Sequence, residues 1–380
     1  MVNRLLYFVA VSGYNRERKE GFYMLDQNRL NRVMEKSEAE QILVTDPASI
    51  FYLIGRWFNP GERFLGLLCR RIETPVLYLN NLFRTDEDFG VRVVYYEDTE
   101  DAVDYVRKDV DPEKVLGVDK ILPARFLLPM LERKIAAGFV NGSEAVDLVR
   151  AEKDMKEREL MRAASHVNDL AMEKFTGLVH DGVTEKQVAD QLLAIYQSLG
   201  AEGYSFDPIV AFGDNTADPH HEPDDTVIKE GDAVLFDVGC KVNSYCSDMT
   251  RTFFYKKYPS KEKERVYNLV RKANEEAEEI CAPGVEISKI DAKARDIITE
   301  GGYGSDFTHR LGHFIGLETH EFGDVSAVNH GCEQPGFIHS IEPGIYHPGT
   351  AGVRIEDLVL ITEEGHEVLN HYPKDIKVIG

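Results

Sequence analysis

Residues 234–239 read Val-Leu-Phe-Asp-Val-Gly, and residues 247–254 read Ser-Asp-Met-Thr-Arg-Thr-Phe-Phe. Both segments are rich in strand-forming residues, so they predict the two strands of a hairpin. With the turn at residues 242–243, Asp237 lies opposite Asp248, and like charges directly opposed on a sheet repel each other. A divalent cation between the two carboxylates removes that repulsion. The alternative is that one aspartate faces solvent or pairs with Arg251.

A second hairpin repeats this arrangement later in the chain. Residues 337–344 read Phe-Ile-His-Ser-Ile-Glu-Pro-Gly, and residues 352–361 read Gly-Val-Arg-Ile-Glu-Asp-Leu-Val-Leu-Ile. The first segment places Glu342 at the end of an apolar strand. The second predicts one continuous strand in which Arg354 and Glu356 lie on the same face. Burial of Glu356 without a partner would be costly. A lone salt bridge to Arg354 is the alternative, and it leaves Glu342 unexplained.

Residues 308–321 contain three histidines: His309, His313 and His320. His320 and Glu321 open like the helix of a His-Glu-x-x-His zinc protease, but Asp324 stands where the second histidine would be, which excludes that class. Histidines at this density can also be surface residues. His220 lies in a loop of turn-forming residues that suits a substrate-facing edge. An exposed loop histidine without a catalytic role is the alternative there.

Together these segments offer an oxygen-rich set of metal ligands. Four carboxylates and one imidazole, with no sulfur, suit Mn²⁺, Mg²⁺, Co²⁺ or Zn²⁺. Four carboxylates are more than one divalent ion needs, whereas two ions that share bridging carboxylates use them well. The sequence therefore predicts a site for two ions.

The chain divides by its pattern into two domains, with a boundary near residue 150. In the first part, strand-like and helix-like segments alternate, which indicates an α/β domain over residues 24–150. The predicted strands are 41–44, 74–79 and 91–96, and the predicted helices are 25–36 and 99–106. Residues 1–23 form a tail whose apolar run at 5–11 resembles a signal peptide weakly.

The second part, residues 151–380, begins with a long charged helix predicted at 152–175. A turn glycine then precedes a helix twice, at Gly182 and at Gly284, and Thr184 with Gln187 has the form of a capping box. The offset between Asp237 and Glu342 is similar to that between Asp248 and Glu356, and both are similar to the offset between the two glycines. We therefore expect a duplicated unit of two helices and a hairpin.

The composition argues against nucleic acid and membrane as partners. The 380 residues include 44 lysines and arginines against 66 aspartates and glutamates, and the net charge of −22 repels phosphate backbones. No apolar run approaches the length of a membrane span. The five cysteines are odd in number and scattered, which predicts reduced thiols and a cytoplasmic location.

Five ordered motifs resemble those of the pita-bread metallopeptidases, in their prolidase and Xaa-Pro aminopeptidase branch. The motifs are Asp-x-Gly at 237–239, Ser-Asp-x-Thr-Arg-Thr at 247–252, His-x-x-Gly-His-x-Ile-Gly-Leu-x-x-His-Glu at 309–321, Ile-Glu-Pro-Gly at 341–344 and Gly-Val-Arg-Ile-Glu-Asp at 352–357. The resemblance implies a creatinase/prolidase-type α/β domain, followed by a pita-bread α+β catalytic domain with pseudo-twofold duplication: a curved antiparallel sheet covered by helices.

The resemblance also implies roles for individual residues. The ligands of the two ions would be Asp237, Asp248, His313, Glu342 and Glu356, with Asp248 and Glu356 bridging. Manganese is expected first, with cobalt and zinc as alternatives. Substrate-handling positions match His220, His309, His320 and Arg354. Glu342 would move a proton from the attacking water to the prolyl nitrogen, His320 and His309 would stabilise the oxyanion or orient the substrate, and His220 would close over the proline side.

The expected activity is hydrolysis of Xaa-Pro dipeptides. Some prolidases place an arginine after the His-Glu pair to hold the free carboxylate of the substrate, but this chain has no arginine or lysine between Arg310 and Arg354. An Xaa-Pro aminopeptidase that acts on longer peptides is therefore the alternative. A third possibility is a metal-binding scaffold without catalysis. The resemblance also implies a homodimer, in which Trp57 would serve as an interface or substrate-wall anchor, unless it is a core residue.

Overall fold

The structure, a computed structural model, describes residues 24–380. The signal-like run at residues 5–11 lies outside the described residues. The chain forms two compact units, which divide between Arg150 and Ala151. Across residues 24–380, no helix is both long enough and apolar enough to cross a membrane. All five cysteines are free, and Cys332 alone among them is exposed.

The first unit is built on a six-stranded sheet with the order β4-β3-β2-β1-β5-β6. Its strands are β1 Gln41–Val44, β2 Gly66–Arg70, β3 Val76–Asn80, β4 Arg92–Tyr96, β5 Val115–Val118 and β6 Gly138–Asn141. Its helices are α1 Gln27–Lys36, α2 Pro47–Ile54, α3 Ala102–Val106, α4 Ala124–Glu132 and α5 Ser143–Ala151. β2 is antiparallel to both of its neighbours, and the other pairs are parallel.

The three strands and two helices predicted for this unit are confirmed, and the helix starts differ because of their caps. Asp26 accepts hydrogen bonds from the backbone N–H groups of Asn28 and Arg29, so α1 begins at Gln27. Asp101 accepts from the N–H of Val103 in the same way, so α3 begins at Ala102. The sequence pattern alone extended both helices too far towards the N-terminus.

The second unit contains four long helices and several small sheets, which are antiparallel except for the parallel pair of β12 and β20. Its helices are α6 Met155–Thr176, α7 Glu185–Ser198, α8 Lys261–Glu279 and α9 Ile287–Glu300. Its strands are β7 Gly203–Tyr204, β8 Ile209–Phe212, β9 Ala233–Val238, β10 Cys240–Val242, β11 Tyr245–Cys246, β12 Met249–Tyr255, β13 Gly312–His313, β14 Asp324–Val325, β15 Ile338–Ile341, β16 Gly344–His347, β17 Ala351–Arg354, β18 Asp357–Ile361, β19 His366–Val368 and β20 Val378–Ile379. The largest of these sheets has the order β20-β12-β9-β8, and two three-stranded sheets have the orders β11-β10-β7 and β15-β18-β19.

The element order of this unit repeats as predicted: two helices and then antiparallel strands, twice. Gly182 and Gly284 both have positive φ (78° and 83°), so the same kind of turn precedes α7 and α9. The predicted capping box is confirmed, because Thr184 and Gln187 each bind the backbone N–H of the other. Apolar side chains of α8 and α9 pack against those of β15 to β18 in one buried core.

The register of the first hairpin differs from the prediction. β9 and β12 are antiparallel and pair Asp237 with Thr250, so Asp237 does not lie opposite Asp248. The turn is at Asn243 and Ser244, whose φ angles are 50° and 72°. A two-residue turn with two left-handed residues matches the twist of the adjoining strands, and asparagine adopts that conformation readily. A turn displaced by one residue shifts every cross-strand partner by two.

The predicted continuous strand over residues 352–361 is also wrong. β17 ends at Arg354 and β18 begins at Asp357, and the two strands belong to different sheets. Between them, the backbone N–H of Glu356 donates to the carbonyl of Thr250 at 3.1 Å. The chain therefore crosses β12 at this point, which brings Glu356 next to the first hairpin.

Candidate metal centre

A cavity of about 300 Å³ in the second unit contains all nine residues that the sequence predicts to be functional. Its lining includes Asp237, Asp248, His313, Glu342, Glu356, His220, His309, His320 and Arg354. The five predicted ligands lie at strand ends or junctions: Asp237 near the end of β9, Asp248 just before β12, His313 at the end of β13, Glu342 between β15 and β16, and Glu356 between β17 and β18. At these positions the charged side chains can line one cavity without being packed among the apolar side chains of the strands.

Imidazole and carboxylate atoms approach each other closely in the cavity. The Nε2 atom of His313 lies 3.6 Å from Oδ2 of Asp248 and 3.5 Å from Oε1 of Glu342. Asp248, His313 and Glu356 offer ligand atoms that all lie within 4.8 Å of one another. One cation can contact several of these atoms at once.

The segment before His313 packs too tightly for a side chain. A Cβ atom on Gly312 would lie 2.0 Å from the carbonyl oxygen of Ser340, so glycine is required there. The backbone N–H of His313 donates to Oγ of Ser340 at 3.0 Å, and that hydroxyl donates to Oε1 of Glu342 at 3.2 Å. Ser340 therefore fixes His313 and Glu342 relative to each other.

A second set of contacts joins Arg354 to the first hairpin. Arg354 is buried and forms an ion pair with Oδ2 of Asp237, and its Nε donates to Oγ1 of Thr250 at 3.1 Å. Thr250 in turn donates to Oε2 of Glu356 at 2.7 Å. The alternative of a lone salt bridge between Arg354 and Glu356 is therefore wrong, because Arg354 pairs with Asp237.

Comparisons with known proteins identify the family of the chain. The sequence model of metallopeptidase family M24 matches residues 159–363, and that of the creatinase/prolidase N-terminal domain matches residues 27–151. The chain belongs to metallopeptidase family M24. It is similar to an uncharacterized peptidase of Staphylococcus epidermidis, with 36% identity over 354 residues that cover 91% of this chain and 98% of the relative.

Two solved structures resemble the M24 chain over nearly its whole length. A prolidase from Thermococcus sibiricus has 30% identity and a TM-score of 0.88, and the match covers 94% of this chain and 100% of the prolidase. An X-Pro aminopeptidase from Thermotoga maritima has 30% identity and a TM-score of 0.79, with 92% and 100% covered. The protein is thus a metal-dependent peptidase of family M24 with the predicted two-domain architecture.

The buried carboxylates of the M24 site repel one another, and a bound cation would relieve that repulsion. Burial, together with repulsion from Glu356, Asp237 and Glu342, raises the pKa of Asp248 well above its usual value. Burial raises the pKa of Glu342 to about 7, although Arg354 opposes the rise. The Oδ1 atoms of Asp237 and Asp248 are buried and accept no hydrogen bond. Carboxylates that are buried, close together and short of donors fit divalent ions, which neutralise them and occupy their free oxygens.

The imidazoles of the site are suited to act as neutral groups. Burial lowers the pKa of His313 to about 3, so its ring offers a lone pair to a metal ion at neutral pH. Burial also lowers the pKa of His309 to about 4. Partial burial and the nearby Arg310 lower the pKa of His320. A neutral histidine keeps one N–H group to donate.

Tyr346 is a site residue that the sequence reasoning missed. Nη1 of Arg354 donates to the Tyr346 hydroxyl at 2.8 Å, and that hydroxyl lies 2.8 Å from Nε2 of His309. Nδ1 of His309 lies 2.7 Å from the carbonyl oxygen of Arg310, which can only accept. The ring therefore carries its proton on Nδ1 and has no free N–H for a substrate. Of the two roles expected for His309, this geometry favours orientation.

Arg310, Phe206, Ile209 and Pro219 also line the cavity and were not predicted. The Arg310 guanidinium is 42% exposed, and its ion pair with Asp324 is long, at 4.0 Å. Arg310 immediately follows His309, so the histidine motif itself could have indicated it. Phe206 and Ile209 carry no such signal, because apolar residues near a strand are ordinary core candidates.

Proposed function

We propose that this M24 peptidase hydrolyses the peptide bond of Xaa-Pro dipeptides. The observation that carries the proposal is the group of apolar residues in the cavity lining, Phe206, Ile209 and Pro219, beside residues that are otherwise polar or charged. Every Xaa-Pro dipeptide contains the pyrrolidine ring of proline, which is apolar and could pack against these residues. The volume of about 300 Å³ is at the lower end of the range for small-molecule sites and suits a substrate of dipeptide size.

Asp237, Asp248, His313, Glu342 and Glu356 would hold two divalent ions. Manganese is the ion we expect, because carboxylates and one imidazole make a hard ligand set; cobalt and zinc are compatible with it. When bound, the ions polarise the substrate carbonyl and lower the pKa of water. The unsatisfied oxygens of Asp237 and Asp248 support this assignment.

The side chains around these ligands would bind the substrate and move its protons. Glu342 would take the proton of the attacking water on its carboxylate and pass it to the prolyl nitrogen. His320 would donate its N–H to the carbonyl oxygen as negative charge develops there. His309, held by Tyr346, would orient the substrate, and Arg354 would keep Asp237 in place. His220, next to Pro219, would cover the proline.

Arg310 supports a substrate with a free carboxylate close to the cleaved bond. Its guanidinium lines the cavity, and the 4.0 Å separation from Asp324 leaves its donors available for a stronger partner. The sequence lacks an arginine after His320 and Glu321, and Arg310 would supply that function from the other end of the histidine motif.

A specific observation favours a second candidate, an Xaa-Pro aminopeptidase that acts on longer peptides. A larger cavity of about 740 Å³ shares Phe206, Ile209 and His220 with the first one. A peptide that continues beyond proline could extend into this space. The homodimer and the cytoplasmic location remain predictions from the sequence.

A substrate panel tests these alternatives. The manganese-loaded protein should hydrolyse Gly-Pro faster than Gly-Pro-Gly, and Gly-Ala should be the poorest substrate. Arg310→Met should reduce activity on Gly-Pro and leave Gly-Pro-amide, which has no free carboxylate, at its wild-type rate. Faster cleavage of Gly-Pro-Gly would favour the aminopeptidase. Faster cleavage of Gly-Ala would refute proline recognition, and no turnover of any peptide would favour the scaffold.

A further inference from the structure

Glu185, the first residue of α7, has a fully buried side chain but does not line the catalytic cavity. Its carboxylate accepts four hydrogen bonds, all from residues 212–224. The donors are the backbone N–H of Phe212 at 2.6 Å, Nδ2 of Asn215 at 3.0 Å, Nε2 of His221 at 2.6 Å and the backbone N–H of Asp224 at 3.1 Å.

The segment 212–224 is the one that carries Pro219 and His220 to the catalytic cavity. Its regular structure is a short 3₁₀ helix at Gly213–Ala217, which ends before both residues. A further hydrogen bond joins the start of α7 to the C-terminal end of the segment, because the N–H of Lys186 donates to the carbonyl of Asp224 at 3.0 Å. The donors to Glu185 thus lie on both sides of Pro219 and His220.

The chemistry of Glu185 indicates that this arrangement is specific. Burial raises the pKa of Glu185, and its hydrogen bonds from His221 and the backbone oppose the rise. An apolar residue could occupy the same space without this desolvation cost, but it could not bind four donors of one loop. Glu185, His221 and Asp224 also lie close enough together to surround a cation. Protein donors already occupy the Glu185 carboxylate, so we assign it to the loop.

We propose that Glu185 is a positioning residue, which holds the segment 212–224 so that Pro219 and His220 form the proline side of the catalytic cavity. This inference rests on the proposed function for its effect on Xaa-Pro substrates. Pro219 and His220 would bind the proline in the substrate and in the transition state alike, so loss of their position should mainly raise KM.

Kinetics of a double-mutant cycle test the inference. Glu185→Gln keeps the size of the side chain but replaces one acceptor with a donor, and it should raise KM for Gly-Pro about tenfold with metal content unchanged. His220→Ala should also raise KM, and the double variant should raise KM by clearly less than the product of the two single effects, because Glu185 acts in part through His220. Effects that multiply would overturn the inference. Asp225→Asn is the control: it removes an exposed charge directly after the segment 212–224, and its KM should equal that of the wild type.

Hydrogen exchange separates this inference from the proposed function. In Glu185→Gln, amides of residues 212–224 should exchange faster than in the wild type, while those of β9 and β12 should not change. Unchanged exchange in the loop would overturn the inference, even if KM rises. If Glu185→Gln unfolds, Glu185→Asp, which keeps the charge on a shorter side chain, should give a smaller increase in exchange at the same amides. If the wild type does not hydrolyse Gly-Pro, the proposed function fails and loop exchange alone decides.

Discussion

His320→Ala should lower kcat for Gly-Pro by about a hundredfold. The ring lines the catalytic cavity, and its centroid lies 4.1 Å from that of His313. Partial burial lowers its pKa, so at neutral pH the ring is uncharged and has one N–H to donate. Loss of one donor to a developing oxyanion costs about 10²–10³ in kcat. His320 is also partly exposed to solvent, and water can replace part of its effect, which places the expected loss at the lower end.

The assay compares kcat and bound metal in three histidine variants. His320→Ala should keep the metal content of the wild type, because His313 and not His320 contacts the carboxylates of Asp248 and Glu342. His313→Ala should instead lose metal along with activity. His330→Ala is the matched control: this histidine is exposed, pairs with Glu286 and lies outside the cavity, so its loss should change kcat less than twofold.

Two results would refute this reasoning. If His320→Ala loses metal and His313→Ala retains it, the roles of the two histidines are reversed. If neither variant changes kcat relative to His330→Ala, the histidine motif is structural and the carboxylates alone must account for activity.

Two further predictions concern the cavity, and a third concerns the first unit. Asp248→Asn should abolish Gly-Pro hydrolysis and reduce bound metal while circular dichroism stays native, because it removes a shared charge and keeps the shape; wild-type turnover would make Asp248 an ordinary strand residue. Tyr346→Phe should lower kcat/KM about tenfold, since it removes the hydroxyl that joins His309 to Arg354, and unchanged kinetics would contradict that role. Light scattering should detect a homodimer that Trp57→Ala weakens, as this residue is 37% exposed and stacks on Phe51 at 4.7 Å; a fully active monomer would exclude this.

Part of the candidate ligand set was predictable because some of its carboxylates conflict with their surroundings in the sequence, and the resemblance to the pita-bread metallopeptidases supplied the full set. Asp237 and Glu356 interrupt apolar strands, where a carboxylate is costly without a cation. The density of histidines in residues 308–321 and the match of that segment to a family motif singled out His313. All of these residues line one cavity. Their roles as ligands remain predictions, which metal binding can test.

The details that the sequence did not reveal depend on backbone geometry and tertiary packing. Asn243 and Ser244 adopt positive φ angles that only one of the two residue types favours, so the turn was placed one residue early. The break between β17 and β18 arises because the backbone N–H of Glu356 donates to the carbonyl of Thr250. Thr250 lies in β12, which belongs to the other half of the unit. Local periodicity contains no information about such a partner.

Three contributors to the site were missed for a related reason. Tyr346 gains its importance only when His309 and Arg354 meet at its hydroxyl, and these residues are far apart in the chain. Arg310 was read as the end of a segment without cations, although it lines the cavity itself. Glu185 was read as a member of a helix-capping sequence, and its four loop donors come from residues 212–224.

Equilibrium binding of Mn²⁺ to the chelator-treated protein tests the central claim most directly. The five ligands predict close to two ions per chain in the wild type and clearly fewer in Asp248→Asn, with the His330→Ala control equal to the wild type. Binding of no ion by the wild type, or the same stoichiometry in Asp248→Asn, would contradict the assignment of the cavity as a two-metal centre.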